Sequence, residues 1–377
     1  MKPRLAEKLA ALRADLNCGH FILADAKDAD MAWGVASPGQ AYPLAESSSN
    51  SLPTPSPSRG GMGRGADLVH ATHPSPSPSP SRGGERMRSM VDFREQIREI
   101  VRQGAVDIML ASVSTMSILA HRERLFETSD VTPAIRANDA TDVWLPRGGD
   151  YRASPSLPFA SCYLEEAQYG SVTAPATGSP VVNLGLYSAT FNNSLDSDMA
   201  TLDAFREFRE YAERSGFHYF LGVFAPNVKG AVPEELIGAF VNDHICRMLA
   251  GVPLNGRPEF LKIPYFGPES LEELVNYDPG MIVGVLGGSS GTSFDAFTLL
   301  AEAKKHGARV ALFGRKIKDA EHPLSFVALL RRVADGELAA EEAVRAYHGE
   351  LQTLKIPPRR ALKDDLALTA TELSYAR

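Results

Sequence analysis

The chain has 377 residues, a formal net charge of −7 and 44% hydrophobic residues. That length suits one large domain with insertions and a packed core, and the acidic balance argues against a nucleic-acid partner. Cys18, Cys162 and Cys246 stand far apart with no CxxC pair, which argues against a zinc knuckle or a disulfide scaffold and fits a reduced compartment.

The first segment, Leu5 to Leu12, reads as an amphipathic helix with charges inside it rather than the apolar core of a signal peptide. No apolar run reaches the roughly 18 residues of a membrane span. The expected location is the cytoplasm. Gly19 to Asp25 is a short apolar run ending in a carboxylate and reads as strand one.

Residues 40–90 have a different composition, rich in Pro, Ser, Gly and Arg. They hold two near-copies of Pro-Ser-Pro-Ser-Arg-Gly-Gly, ending at Gly61 and Gly84. Such a segment cannot bury enough apolar surface to offset its ordering entropy, so it is expected to be disordered. It is either a tolerated surface insertion or a PxxP docking arm.

Beyond it, strand and helix patterns alternate. Asp92 to Arg102 has helical spacing, with Phe93, Ile97, Ile100 and Val101 on one face. The spacing predicts strands at Asp107–Ala111, Pro133–Ala137, Val181–Tyr187, Phe217–Phe224, Phe260–Ile263, Met281–Leu286 and Arg309–Phe313, with helices between most of them. Residues 138–163 read as a long loop. Strands that are apolar throughout belong to a parallel sheet covered on both faces. Eight such units predict a single α/β domain of the (β/α)8 TIM-barrel class, an open doubly wound sheet being the alternative. On this reading residues 1–39 hold the N-terminal helix and first strand, 40–90 the insertion, and 91–377 the rest of the barrel.

In such a barrel, chemistry sits at the C-terminal ends of the strands. Strand one ends at Asp25, followed by Lys27, Asp28 and Asp30. Strand three leads to Asn138, Asp139 and Asp142, and strand four ends at Tyr187. Gly287, Gly288 and Ser289 follow strand seven, and Gly314 and Arg315 follow strand eight. Glycines let backbone N–H groups approach an anion, a following helix N-terminus adds its dipole, and Arg315 adds a bidentate contact. These positions predict a phosphate-binding lip, although glycines at two strand ends also make plain tight turns. Lys262 lies inside an apolar strand. Pointing inward, it would be desolvated into a nucleophilic amine; pointing outward, its stem would pack on a helix with its head in water.

The segment Phe260-Leu-Lys-Ile-Pro-Tyr-Phe-Gly267 resembles the Schiff-base strand of class I aldolases, the DeoC/LacD and archaeal-type fructose-bisphosphate aldolase group. Val285 to Ser289 is similar to their strand-seven phosphate loop, Leu312 to Arg315 to their strand-eight Gly-Arg element, and Leu23-Ala24-Asp25 to their strand-one carboxylate. The resemblance implies a lyase in which Lys262 forms an iminium ion with a phosphorylated ketose and Asp25 moves protons. His20, His218 and His244 show no metal-ligand spacing, so a Schiff-base rather than a metal-dependent aldolase is expected, without metal or cofactor. Archaeal-type members carry a tyrosine beyond strand five. Phe224-Ala225-Pro226 stands there instead, leaving Tyr187 as a substitute or as an ordinary rim aromatic. The missing tyrosine also fits a second reading, a catalytically altered phosphosugar-binding barrel acting as a scaffold. The expected partner is a small phosphorylated sugar, with no nucleic acid and no membrane, and the expected assembly is a homo-oligomer.

Overall fold

The computed structural model describes residues 1–40, 87–175, 177–288 and 291–376. Most of the insertion, residues 41–86, therefore lies outside the described residues, as do Ser289 and Ser290.

Eight parallel strands form the barrel: β1 (Ile22–Lys27), β2 (Ile108–Ala111), β3 (Thr132–Arg136), β4 (Leu184–Thr190), β5 (His218–Phe224), β6 (Leu261–Lys262), β7 (Gly284–Leu286) and β8 (Val310–Phe313). Each pairs with its sequence neighbour, and β1 pairs with β8. A parallel bridge between Ile263 and Val285 joins β6 to β7 and closes the ring. The (β/α)8 architecture expected from the apolar runs is the one observed.

The core has two shells, and strand periodicity explains them. Ile22, Ala24, Ile108, Leu110, Ala134, Leu184, Leu186, Phe220, Phe260, Val310 and Leu312 point into the barrel. The alternate residues Leu23, Met109, Ile135, Tyr187, Leu221, Leu261, Val285 and Phe313 point outward against the helices. Inside, Phe220 and Phe260 stack at 4.6 Å between ring centroids. The N-terminal helix, Pro3–Ala14, belongs to the inner shell: Leu5, Leu9 and Leu12 are buried with it. The helix plugs one end of the barrel, and each leucine contributes about 1.5–3 kcal/mol of apolar burial.

That plugged end is tied by Asp107, just before β2. It pairs with Lys8 Nζ at 2.8 Å and Arg331 Nη1 at 3.3 Å, and it accepts the Leu23 N–H at 2.9 Å. The insertion leaves and re-enters at one point. Gln40 and Met87 form an antiparallel bridge, and Arg88 N–H donates to Gly39 O. Ser89 then caps the helix Met90–Gln103. Among the described residues, no helix is long and apolar enough to cross a membrane.

Candidate active site

Lys262 closes β6. It is in register with Gly222 of β5, which is in register with Ser188 of β4. Paired residues of neighbouring strands face the same side. Phe220 and Phe260, two residues before Gly222 and Lys262, belong to the inner shell, so Lys262 points into the barrel above them. It is 7% exposed. Its amine lies 5.6 Å from the centroid of the Phe224 ring and makes no hydrogen bond among the described residues. Burial lowers the Lys262 pKa to about 8; the Asp28 charge opposes this and the Arg136 charge adds to it.

The carboxylate near Lys262 is Asp28, not Asp25. Leu23, Asp25 and Lys27 share one face of β1, and Asp25 pairs in register with Met109 and Phe313, both of the outer shell. Asp25 therefore faces the helices, with its back to the barrel interior. It is 0% exposed, and Lys27 Nζ lies 3.1 Å from its Oδ2. Apart from this ion pair, neither group has a hydrogen-bond partner among the described residues. Burial pushes the Asp25 carboxyl up to about 6 against the pull of Lys27. The expected strand-one carboxylate is thus corrected by one strand period. Ala24 belongs to the inner shell, and Asp28 falls on that inward side just past the strand.

Asp28 Oδ2 accepts a hydrogen bond from Arg136 Nε at 2.7 Å, and Arg136 Nη1 donates to Ser188 Oγ at 3.2 Å. Burial by itself would raise the Asp28 pKa, but Arg136 and then Lys262 outweigh it, and the net shift is downward. Arg136 was not singled out from sequence. The available signal was a charge closing an otherwise apolar strand, the same signal that marked Lys262.

Tyr187 is not beside Lys262. β4 runs on to Thr190, so Tyr187 is mid-strand and on the outward face. Its ring stacks on Phe208 at 4.3 Å and meets Phe205 at 5.4 Å, both on the helix Leu195–Ser215. It is 2% exposed, and burial raises its hydroxyl pKa. Such a side chain is a packing residue between strand and helix, which corrects the expected proton-transfer role.

The lip residues are brought together. β7 and β8 are neighbours, with Leu286 opposite Leu312, so Gly287 and Gly314 follow adjacent strand ends. A Cβ on Gly287 would stand 2.1 Å from the Phe313 ring, and one on Gly314 would stand 2.8 Å from Ala26 O. Only glycine fits at either position. Gly287 N–H is already committed to Leu312 O at 2.6 Å, whereas Gly288 has a left-handed φ of +65°. Ser289 lies outside the described residues. Arg315 is exposed, 5.7 Å from the centroid of the Trp33 ring. Lys316 Nζ reaches back to Gly291 O at 2.5 Å and so ties the two lip segments together.

The helix Ser293–Lys305 does not offer its N-terminus to the lip. Asp295 accepts Thr292 N–H at 2.8 Å, and Asp365 accepts Ser293 N–H at 2.7 Å. Those first donors are taken by the chain's own carboxylates. Free backbone donors of the lip must then come from the glycine segments themselves.

Residues 139–163, expected as a long loop, carry a short antiparallel strand pair and are tied by hydrogen bonds to the end of β4 and to the segment just past β5. Asp139–Ala140 pairs with Pro158–Phe159. Asp142 accepts hydrogen bonds from Ser156 Oγ at 2.6 Å and Thr190 Oγ1 at 3.3 Å. Asn227 Nδ2 donates to Arg152 O and Ser154 O. Trp144 and Tyr151 stack at 4.9 Å, both exposed. Among the described residues, no group of three or more His, Cys, Asp or Glu is placed to hold a metal.

Solved structures share this fold. An archaeal fructose 1,6-bisphosphate aldolase aligns at 14% identity over 87% of this chain and 99% of its own, with a TM-score of 0.52. A fructose-bisphosphate aldolase from Slackia heliotrinireducens aligns at 15% identity over 69% of this chain and 78% of its own, with a TM-score of 0.53. A Corynebacterium glutamicum protein aligns at 15% identity over 90% of this chain and 99% of its own, also at 0.53. At these identities the likeness establishes the fold. No model of a known protein family matches the chain, and no curated protein matches it.

Proposed function

We propose that the chain is a class I aldolase that reversibly cleaves a phosphorylated ketose through a Schiff base on Lys262. One observation carries this reading: a lysine turned into the barrel, nearly buried, with no hydrogen bond to its amine among the described residues and the Asp28 carboxylate, just past β1, acting on it. The fold likeness to aldolases, one of them described as Schiff-base forming, supports it.

In this mechanism the neutral Lys262 amine attacks the ketose carbonyl carbon. A C–N bond forms, and the carbonyl oxygen leaves as water after taking up protons. The resulting iminium withdraws electrons from the neighbouring carbon–carbon bond. That bond breaks as the hydroxyl on the far carbon gives its proton to a base and becomes an aldehyde. The electron pair remains as an enamine, which takes a proton, and water then releases the ketone. Asp28 is the base in this account, because Arg136 holds its carboxyl ionised. Gly288, Gly314 and Arg315, with Ser289, would hold the phosphate and so present the carbonyl to Lys262.

The test is exchange of solvent deuterium into dihydroxyacetone phosphate, followed by proton NMR. The enamine step predicts exchange at one carbon-bound position, rising with pH through a midpoint near 8 as the Lys262 ammonium loses its proton. Lys262→Met should abolish it. Exchange at the same rate in Lys262→Met would sink the proposal.

A further inference from the structure

We propose that Arg136 is a positioning residue, which fixes the Asp28 carboxylate relative to Lys262 because Ser188 holds its other arm. This rests on the Schiff-base reading of the site.

Asp28 lies just beyond β1, so the strand ladder does not orient it. Its side chain is held by Arg136 Nε at 2.7 Å, from the end of β3, two strands along the ring. A long side chain gripping at one point would still swing. Arg136 grips at two, since Nη1 also donates to Ser188 Oγ at 3.2 Å. A planar guanidinium fixed at two nitrogens has its plane set. Ser188 is itself immobilised. Its backbone N–H donates to Asn138 Oδ1 at 2.6 Å, and Asn138 Nδ2 donates back to Ser188 O at 2.8 Å. The chain of contacts therefore runs from β4 through Asn138, Ser188 and Arg136 to Asp28, and Ser188 stands in the same register row as Lys262.

The alternative is an ion pair that serves stability alone. Its location argues otherwise. Buried ion pairs are weak stabilisers against apolar replacements, and this one sits at the C-terminal ends of the barrel strands, where chemistry is placed. The charged groups acting on Lys262 are Asp28 and Arg136, while Asp139 and Asp142 act on Arg136 from the segment after β3.

The test compares Ser188→Ala and Arg136→Lys with the unaltered protein. Dihydroxyacetone phosphate is the probe, borohydride is the trap, and the adduct on the Lys262 peptide is timed at several pH values. Ser188→Ala leaves the Arg136–Asp28 pair but frees its far arm. Arg136→Lys keeps the charge but cannot hold both partners. Each should slow trapping by about tenfold, with the probe concentration for half-maximal rate within about threefold and the melting temperature nearly unchanged for Ser188→Ala. Unaltered trapping rates in both variants overturn the proposal, as does a fall in melting temperature with no change in rate.

A second arm needs no substrate. Lys262 is labelled by reductive methylation with carbon-13 formaldehyde and titrated by NMR. Arg136→Gln removes the cation that acts against the Lys262 ammonium, so the Lys262 midpoint should move up. An unmoved midpoint overturns the proposal. If the unaltered protein forms no adduct at all, the aldolase reading fails and the titration alone decides this one. Ser188→Ala removes a single hydroxyl and takes the place of Arg136→Gln in the titration if that variant fails to fold. Its midpoint should move down as Asp28 swings away, and no movement overturns the proposal.

Discussion

Asp25 and Asp28 stand three residues apart, yet they occupy opposite sides of the barrel wall. Asp25 and Lys27 form a sealed pair between β1 and the helices, whereas Asp28 meets Arg136 from β3 on the inward side. Their consequences differ sharply. Asp28→Asn removes the proposed base and should slow deuterium exchange into dihydroxyacetone phosphate by about a hundredfold. The double change Asp25→Asn with Lys27→Met removes both charges of the outer pair together. It should keep exchange within about threefold and leave the melting temperature level or higher, since a buried ion pair gains little over neutral packing. Paired exchange and melting measurements check both, and loss of exchange in the double variant alone would return the catalytic role to Asp25.

At the scale of the elements, the same periodicity explains what sequence pattern revealed and what it hid. Apolar runs located all eight strands. Strand four, however, was expected at Val181–Tyr187 and runs from Leu184 to Thr190. Its far end carries Ser188 and Thr190 on the inward face, beyond the expected end at Tyr187, because a site-facing strand end is polar and breaks the apolar run. β1 was cut short at Asp25 for the same reason: charge inside a strand looks like the end of one. The direction of a side chain follows from register with its neighbours, and one sequence read alone does not supply it. That is why the sequence marked Lys262 as an unusual strand lysine but left its direction open, and why it named Asp25 and Tyr187 as site-facing although both face the helices. The opposite end of the barrel has no site-facing layer and makes a cleaner prediction. Asp107→Asn breaks its contacts to Lys8 and Arg331 and weakens the acceptor for Leu23 N–H. It should cost about 2 kcal/mol in a denaturant titration while exchange per folded molecule stays unchanged. A large loss of exchange without loss of stability would contradict that division between the two ends.

For the whole molecule, the barrel is closed and plugged without the insertion. Gln40 and Met87 pair directly, and Arg88 Nη1 and Lys318 Nζ tie both flanks to the segment after β8 through Lys318 O and Ser37 O. Removing residues 41–86 and joining the flanks by a short Gly/Ser link should therefore leave the melting temperature and the exchange rate nearly unchanged. A large fall in either would give the segment a role in the barrel. Lys262 is one of several lysines whose amines burial shifts toward the neutral form. Lys316, also lowered to about 8 by burial, sits at the lip with its amine on Gly291 O. Lys27 is sealed behind β1. The most direct measurement is borohydride reduction in the presence of dihydroxyacetone phosphate, followed by peptide mapping. A Schiff base on Lys262 predicts a reduced adduct on the peptide holding it, lost in Lys262→Met. An adduct on Lys316 or another lysine instead, or none at any pH from 6 to 9, would contradict it.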